Sequence, residues 1–223
     1  MKKILLKLSG EALKNHKEGI IDFDYCLTLC EKIKKLYDNG FSIGIVVGGG
    51  NIWRGRDNTY INSSSSDKVG ILSTIINSLI LDAAFKELNT DSIVLNSFEA
   101  EKIVDKSSKE KILTAIDDKK IVIFGGGTGE VGCSTDTAAA LRAIDMNADY
   151  IIKLTNVDGV YDKDPKVYSD VKRYEEITFD EVLEKTNSNK IAIAHNKNDK
   201  VETMIMNILR GSGIVGLKGI EPI

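Results

Sequence analysis

Apolar residues gather in short blocks along the first two thirds of the chain, each ended by glycine or polar residues. Lys3–Lys7 is an apolar run entering Ser9-Gly10, and Ser42–Val47 is a β-branched run entering Gly48-Gly49-Gly50. Ser92–Leu95, Lys120–Phe124 and Tyr150–Leu154 follow the same form, and the second of these runs into Gly125 to Gly129. Such blocks predict buried strands that stop in loops. Between them the period changes. From Phe23 to Asn39, apolar positions at Cys26, Cys30, Ile33 and Tyr37 recur at spacings of four, three and four, and Gly40 follows where a C-terminal cap belongs. Helical patterns also cover about Asp67–Leu88, the lysine-rich Ser107–Asp117, and Thr135–Met146. The serine run Ser63–Ser66 reads as a lid or surface loop, with Ser66 a candidate cap. Strands alternating with helices imply parallel βαβ units, hence an α/β fold: a three-layer α/β/α sandwich around a mostly parallel central sheet.

Composition narrows the class. The chain has 223 residues, with 30 Lys plus Arg against 33 Asp plus Glu and a formal charge of −3. One domain, 1–223, is the expectation at this length. The charge argues against coating a nucleic acid by phosphate neutralisation. No run approaches the roughly 20 apolar residues of a membrane span, and the start, MKKILLKLSGEAL, is too short in apolar residues for a secretory signal. A cytoplasmic protein with neither membrane nor nucleic-acid partner is therefore expected. Cys26, Cys30 and Cys133 show no metal-type pairing and read as core thiols. His16 and His195 read as surface residues.

The glycines matter by their placement. Ligands of open α/β sheets bind outside the carboxyl ends of the strands. Three predicted strands end there in glycine loops that head towards helices, where backbone N–H groups and the helix field favour phosphate. No G-x-x-x-x-G-K-[ST] loop and no G-x-S-x-G elbow occurs. What remains is cationic: Lys7 beside the Ser9-Gly10 turn, and Arg54 after Gly48-Gly49-Gly50-Asn51, where its planar fork can grip phosphate oxygens. Positioning and charge neutralisation supply most of the catalysis in phosphoryl transfer. Each residue also has a plain structural reading, Lys7 as a snorkelling strand-end lysine and the acidic residues below as helix N-terminal charges.

The stretches KLSGEAL at 7–13, VVGGGNIWRG at 46–55, DKVGILST at 67–74, GTG…STD at 127–136 and LTNVDGVYDKDP at 154–165 resemble, in this order, the bacterial uridylate (UMP) kinases of the amino acid kinase superfamily. The likeness runs from about residue 3 to residue 185. It implies transfer of the γ-phosphoryl group of Mg–ATP to UMP, with Mg2+ arriving on the nucleotide. It further implies an acceptor lobe over about 1–125 and an ATP lobe over about 126–223. Carried across residue by residue, Lys7, Leu8, Ser9, Gly10, Gly50 and Arg54 would hold ATP phosphates, and Thr155, Tyr161 and Asp164 its adenosine. Gly49 and Asp67 would meet UMP, with Asp67 receiving its ribose hydroxyls. The run Thr128, Gly129, Glu130, Val131, Gly132, Cys133, Ser134 and Thr135 would form the uridylate loop. Lys7, Arg54 and Asp136 would serve catalysis. The resemblance also implies a homohexamer activated by GTP and inhibited by UTP, with His16–Gly19 aligned to the GTP-linked region.

Two stretches depart from the family pattern. Val131, Gly132 and Cys133 stand where the family has a proline and aromatic residues. The tail from Thr186 lacks the expected middle strand and reads as a helix over Asp199–Arg210, then a strand over Ile214–Leu217. Two alternatives therefore stay open at this point: a related kinase with another phosphate acceptor, and a nucleotide-binding homologue without turnover.

Overall fold

The computed structural model of the protein describes residues 1–14, 19–55, 60–100, 102–154, 160–162 and 168–174. His16, Thr155, Asp164, His195 and the two tail elements expected over Asp199–Arg210 and Ile214–Leu217 lie outside the described residues. The chain divides into two compact units. In the first, the order is β1 (Lys3–Leu8), a 3₁₀ turn (Gly10–Leu13), α1 (Phe23–Asp38), β2 (Ser42–Val47), α2 (Ser63–Glu87), β3 (Ser92–Asn96), β4 (Asp105–Lys106), α3 (Lys109–Asp117), β5 (Ile121–Gly125), α4 (Thr135–Asp145) and β6 (Tyr150–Lys153). The described part of the second unit is a small antiparallel pair, β7 (Val160–Tyr161) with β8 (Arg173–Tyr174).

The six strands of the first unit form one sheet in the order β4-β3-β5-β2-β1-β6, and every ladder is parallel. β2, at its centre, is buried along its whole length, as the near-continuous Ile-Gly-Ile-Val-Val run requires of a strand covered on both faces. Alternate residues of β1 divide between two cores. Ile4, Leu6 and Leu8 pack with Cys26, Cys30 and Ile33 of α1 and Leu81 and Phe85 of α2. Leu5 joins Ile112 and Ile116 of α3 and Ala138, Ala139 and Ala143 of α4 on the opposite face. The period-two division thus produces the three layers expected. Cys26 and Cys30 are core thiols, and burial pushes them up to about 11 and about 12. Cys133 is only half-buried and belongs to the site.

The serine run is a correction. It is the first turn of α2, not a loop: Asn62 is the cap, and its side chain accepts a hydrogen bond from Ser65 N at 2.8 Å. Serine's preference for caps hid a helix start that asparagine supplies one residue earlier. Ser66 does not cap; it is buried and its Oγ accepts from Trp53 Nε1 at 2.9 Å. With that turn added, α2 is the one described helix long and apolar enough to cross a bilayer. Leu81, Ala84 and Phe85 of α2 are nevertheless buried in the core together with Asn77 and Ser78, so its apolar content is that of a central core helix. The other predicted elements that fall on described residues are found to within one or two residues; β7 and β8 were not foreseen. β4, two residues at the sheet edge, carried no apolar signal.

Candidate active site

The carboxyl ends of β1, β2 and β5 meet at one edge. Gly10 and Gly49 are glycines because of what lies against them. A Cβ on Gly10 would stand 2.7 Å from Gly48 O and 2.9 Å from Gly50 N, and one on Gly49 would stand 2.8 Å from Gly70 O of α2. Any side chain would therefore push the loops apart. Gly48 N also donates to Leu8 O at 2.9 Å. The side chain of Leu8 is buried in the core, which leaves only its backbone for a ligand. Ser9 caps the 3₁₀ turn, its Oγ accepting from Glu11 N at 3.4 Å.

On the α4 face, Lys7 and Lys153 are register neighbours on the parallel pair β1 and β6. Like charges side by side on one sheet face repel. Asp136, in the first turn of α4, answers both: Lys7 Nζ lies 2.8 Å from Oδ1, and Lys153 Nζ donates to Oδ2 at 2.7 Å. The Lys7 contact is an ion pair outside hydrogen-bond alignment. Burial alone would raise the Asp136 carboxyl, but the two ammonium groups outweigh it and hold the carboxyl below its usual range. Asp136 is thus a carboxylate at neutral pH, and its two lysines point a surplus positive charge at the sheet edge. Lys153 escaped the sequence reading. Its one signal was the position shared with Lys7, a lysine at the end of an apolar strand.

Arg54 is held before any ligand arrives. Its Nε donates to Gly50 O at 3.0 Å, and its guanidinium pairs with Glu11 Oε1 at 2.5 Å. Lys14 contacts the other Glu11 oxygen at 3.1 Å. Burial pushes Glu11 up, but the bonds and charges of Lys14 and Arg54 prevail and keep it low. Glu11, also unforeseen, orients the arginine fork beside the glycine loop.

A cavity of about 230 Å³ opens between the start of α2 and the loop from β5 to α4. Gly49, Gly50, Asp67, Thr128, Glu130, Cys133, Ser134 and Thr135 line it, together with Trp53, Ser66, Gly70 and Thr74, which were not foreseen. Gly129, Val131 and Gly132 do not line the cavity. Gly132 nevertheless takes part through its backbone: its N–H donates to Asp67 Oδ2 at 2.7 Å and ties the loop to α2. Behind the loop, Thr74 Oγ1 accepts from Gly126 N at 2.9 Å, Ser97 Oγ donates to Gly127 O, and Arg142 Nη2 donates to Ser97 Oγ at 2.9 Å. Ser134 caps α4, accepting from Thr137 N at 3.0 Å, so Thr135 and Asp136 stand in the first helical turn. Tyr161 belongs to β7, in the second unit.

This arrangement of glycine loops, paired lysines and a helix N-terminus suits two phosphorylated ligands. A model of the amino acid kinase family matches residues 2–214. The chain belongs to the amino acid kinase family. Within it, the chain is 39% identical over 184 residues to a uridylate kinase of Thermosipho melanesiensis, covering 82% of this chain and 79% of the relative. It is 41% identical over 184 residues to a uridylate kinase of Rickettsia conorii, covering 82% and 76%. Its fold superposes on the crystal structure of UMP kinase from Ureaplasma parvum with a TM-score of 0.75 at 38% identity, covering 86% of this chain and 82% of that one.

Proposed function

We propose that the chain transfers the γ-phosphoryl group of Mg–ATP to UMP, giving UDP and ADP. The observation that carries this reading is the Lys7–Asp136–Lys153 cluster beside Thr135, a wall of the cavity. A phosphate oxygen of UMP attacks the γ-phosphorus, the bond to the β–γ bridging oxygen breaks, and that oxygen leaves on ADP. Charge accumulates on the transferring group and the bridge, and preorganised cations stabilise it. Lys7 is the group assigned to that charge, with Asp136 holding its ammonium in place. Arg54, kept by Glu11 beside Gly50, is assigned to phosphate oxygens together with Ser9, Gly10 and the backbone of Leu8. In this reading the Mg2+ ion arrives on ATP, and both Asp136 oxygens face ammonium groups.

In the same reading Asp67 receives the ribose diol of UMP, the 128–135 loop its uracil, and Thr155, Tyr161 and Asp164 the adenosine of ATP. The residues up to about 125 form the acceptor lobe of one domain and those from about 126 to 223 the ATP lobe. A cytoplasmic homohexamer with GTP activation and UTP inhibition completes it. The exposed stripe of Val69, Leu72 and Ile76 on α2 supports self-association.

One observation favours a second reading. The cavity wall includes the small Cys133, part of the Val131-Gly132-Cys133 stretch that stands where the family has a proline and aromatic residues, a departure that suits another acceptor. ADP release measured with UMP, CMP, carbamate and isopentenyl phosphate separates the readings. UMP is expected to give the highest kcat/KM. A higher value with another acceptor would establish the second reading, and binding of UMP and ATP without ADP release would establish a homologue without turnover.

A further inference from the structure

Deep on the α2 face, two asparagines form a closed amide pair. Asn77 Nδ2 donates to Asn51 Oδ1 at 2.7 Å, and Asn51 Nδ2 returns a bond to Asn77 Oδ1 at 3.1 Å. The remaining donors leave the pair: Asn77 Nδ2 reaches Gly48 O at 2.7 Å and Asn51 Nδ2 reaches Ile20 O at 3.0 Å. All four amide hydrogens therefore have acceptors, which a fully buried pair requires. Asn77 is 0% and Asn51 9% exposed. Gly10 leans on the same pair, since a Cβ there would collide with Asn51 Oδ1.

Asn77 stands at the end of a stripe on α2. Asp67, Gly70, Thr74 and Asn77 are spaced by three, four and three residues and share one helix face. Along that face the helix meets, in turn, Gly132 N, the Gly49 loop, Gly126 N and Gly48 O. The helix therefore spaces these glycine loops along the sheet edge, and Asn77 is its contact with the Gly48–Asn51 loop, whose Asn51 in turn abuts Gly10.

We infer that Asn77 is a positioning residue for phosphoryl transfer, holding the Ser9-Gly10 loop and the Gly48–Asn51 loop in mutual register through Asn51. The inference rests on the kinase reading above. In-line transfer needs both reactants within a few tenths of an ångström of attack geometry, and misplacement of about 1 Å costs about a hundredfold. A neutral amide is the group that can do this inside the fold, because it donates and accepts at once and carries no charge to desolvate. Asn77→Asp keeps the size and the acceptor but turns a carboxylate towards Gly48 O.

The test measures kcat, the Kd of UMP and of Mg–ATP by calorimetry, and Tm for the parent, N77A, N77D, N51A and N51A/N77A. N77A and N77D should lower kcat at least about tenfold, the equivalent of one lost buried hydrogen bond, while both Kd values stay within about threefold. The double variant should fall no further than the worse single one, as expected of groups acting as a unit. Turnover within twofold of the parent in folded N77D, or losses that follow Tm and Kd together, would make the pair structural only and overturn the inference. If the Asn77 variants do not fold, N51A decides: a threefold or greater loss in kcat supports it and parental turnover overturns it. Amide exchange gives a readout independent of the acceptor. Exchange of residues 9–10 and 48–51 should quicken about tenfold in N51A or N77A with β5 unchanged, and equal protection in parent and variants overturns the positioning role. A parent that exchanges as described but makes no ADP with UMP would instead defeat the functional reading.

Discussion

The two faces of the sheet edge solve one problem with different chemistry. On the α2 face the bonds are made by a neutral amide pair that is almost wholly buried; on the α4 face they are made by charges that stay partly open, with Lys7 14%, Asp136 30% and Lys153 46% exposed at their side chains. An amide can be buried once its hydrogen bonds are complete, so it can brace backbone from inside the core. Full burial of an ammonium would cost several kcal/mol, and a buried ammonium could not meet a phosphate. Position is therefore set on the dry face and charge is presented on the wet one.

Separating the two contributions starts with the charged face. Lys7→Ala should reduce kcat by at least about a hundredfold, the effect of removing one preorganised charge-stabilising donor, as read by coupled ADP formation; near-parental turnover would assign Lys7 to structure alone. At the cavity, Asp67→Asn should raise KM for UMP about tenfold with little change in kcat, the mark of lost ground-state binding; initial rates at varied UMP check it. Lys153→Met should cost less, about threefold in kcat, because its half-exposed ion pair with Asp136 is screened to about 1 kcal/mol or less and Lys7 stays on Asp136.

Asp136→Asn probes the pH dependence of stability. Its carboxyl is depressed in the fold, so the stability it contributes is present above the ordinary carboxylate value of 3.8 and is lost as pH falls through the lower folded value. The Tm gap between parent and variant should be constant from about pH 8 down to pH 5 and close below about pH 4. A gap independent of pH would mean that charge is not what the lysines respond to. The smallest effect concerns the thiols. Cys26 and Cys30 are buried with raised pKa values, whereas Cys133 lines the cavity. Iodoacetamide should therefore label Cys133 first, and UMP should slow it; peptide mass mapping checks both.

Much of this edge was legible along the chain. The blocks ending in Ser9-Gly10, Gly48-Gly49-Gly50 and Gly125 to Gly129 announced strands that stop in phosphate-type loops, Lys7 stood out at a strand end, and Asp67 and Thr135 came from the family resemblance. The partners were not legible. Lys153 is ordinary in sequence and becomes notable only because β6 pairs with β1 in a register that sets it beside Lys7. Asn77 lies in an apolar helix where periodicity records burial but not what the buried polar group touches. Glu11 could have been suspected from its place in KLSGEAL, yet nothing local links it to Arg54.

Apolar periodicity and glycine placement by themselves determined the layers, the element types and which loops could face phosphate, because each depends on residues within one turn or strand. The tertiary structure alone decided which charge answers which. That choice depends on parallel strands meeting across some 146 residues and on α2 lying against loops from three strands, where burial and register, not sequence distance, set the interaction.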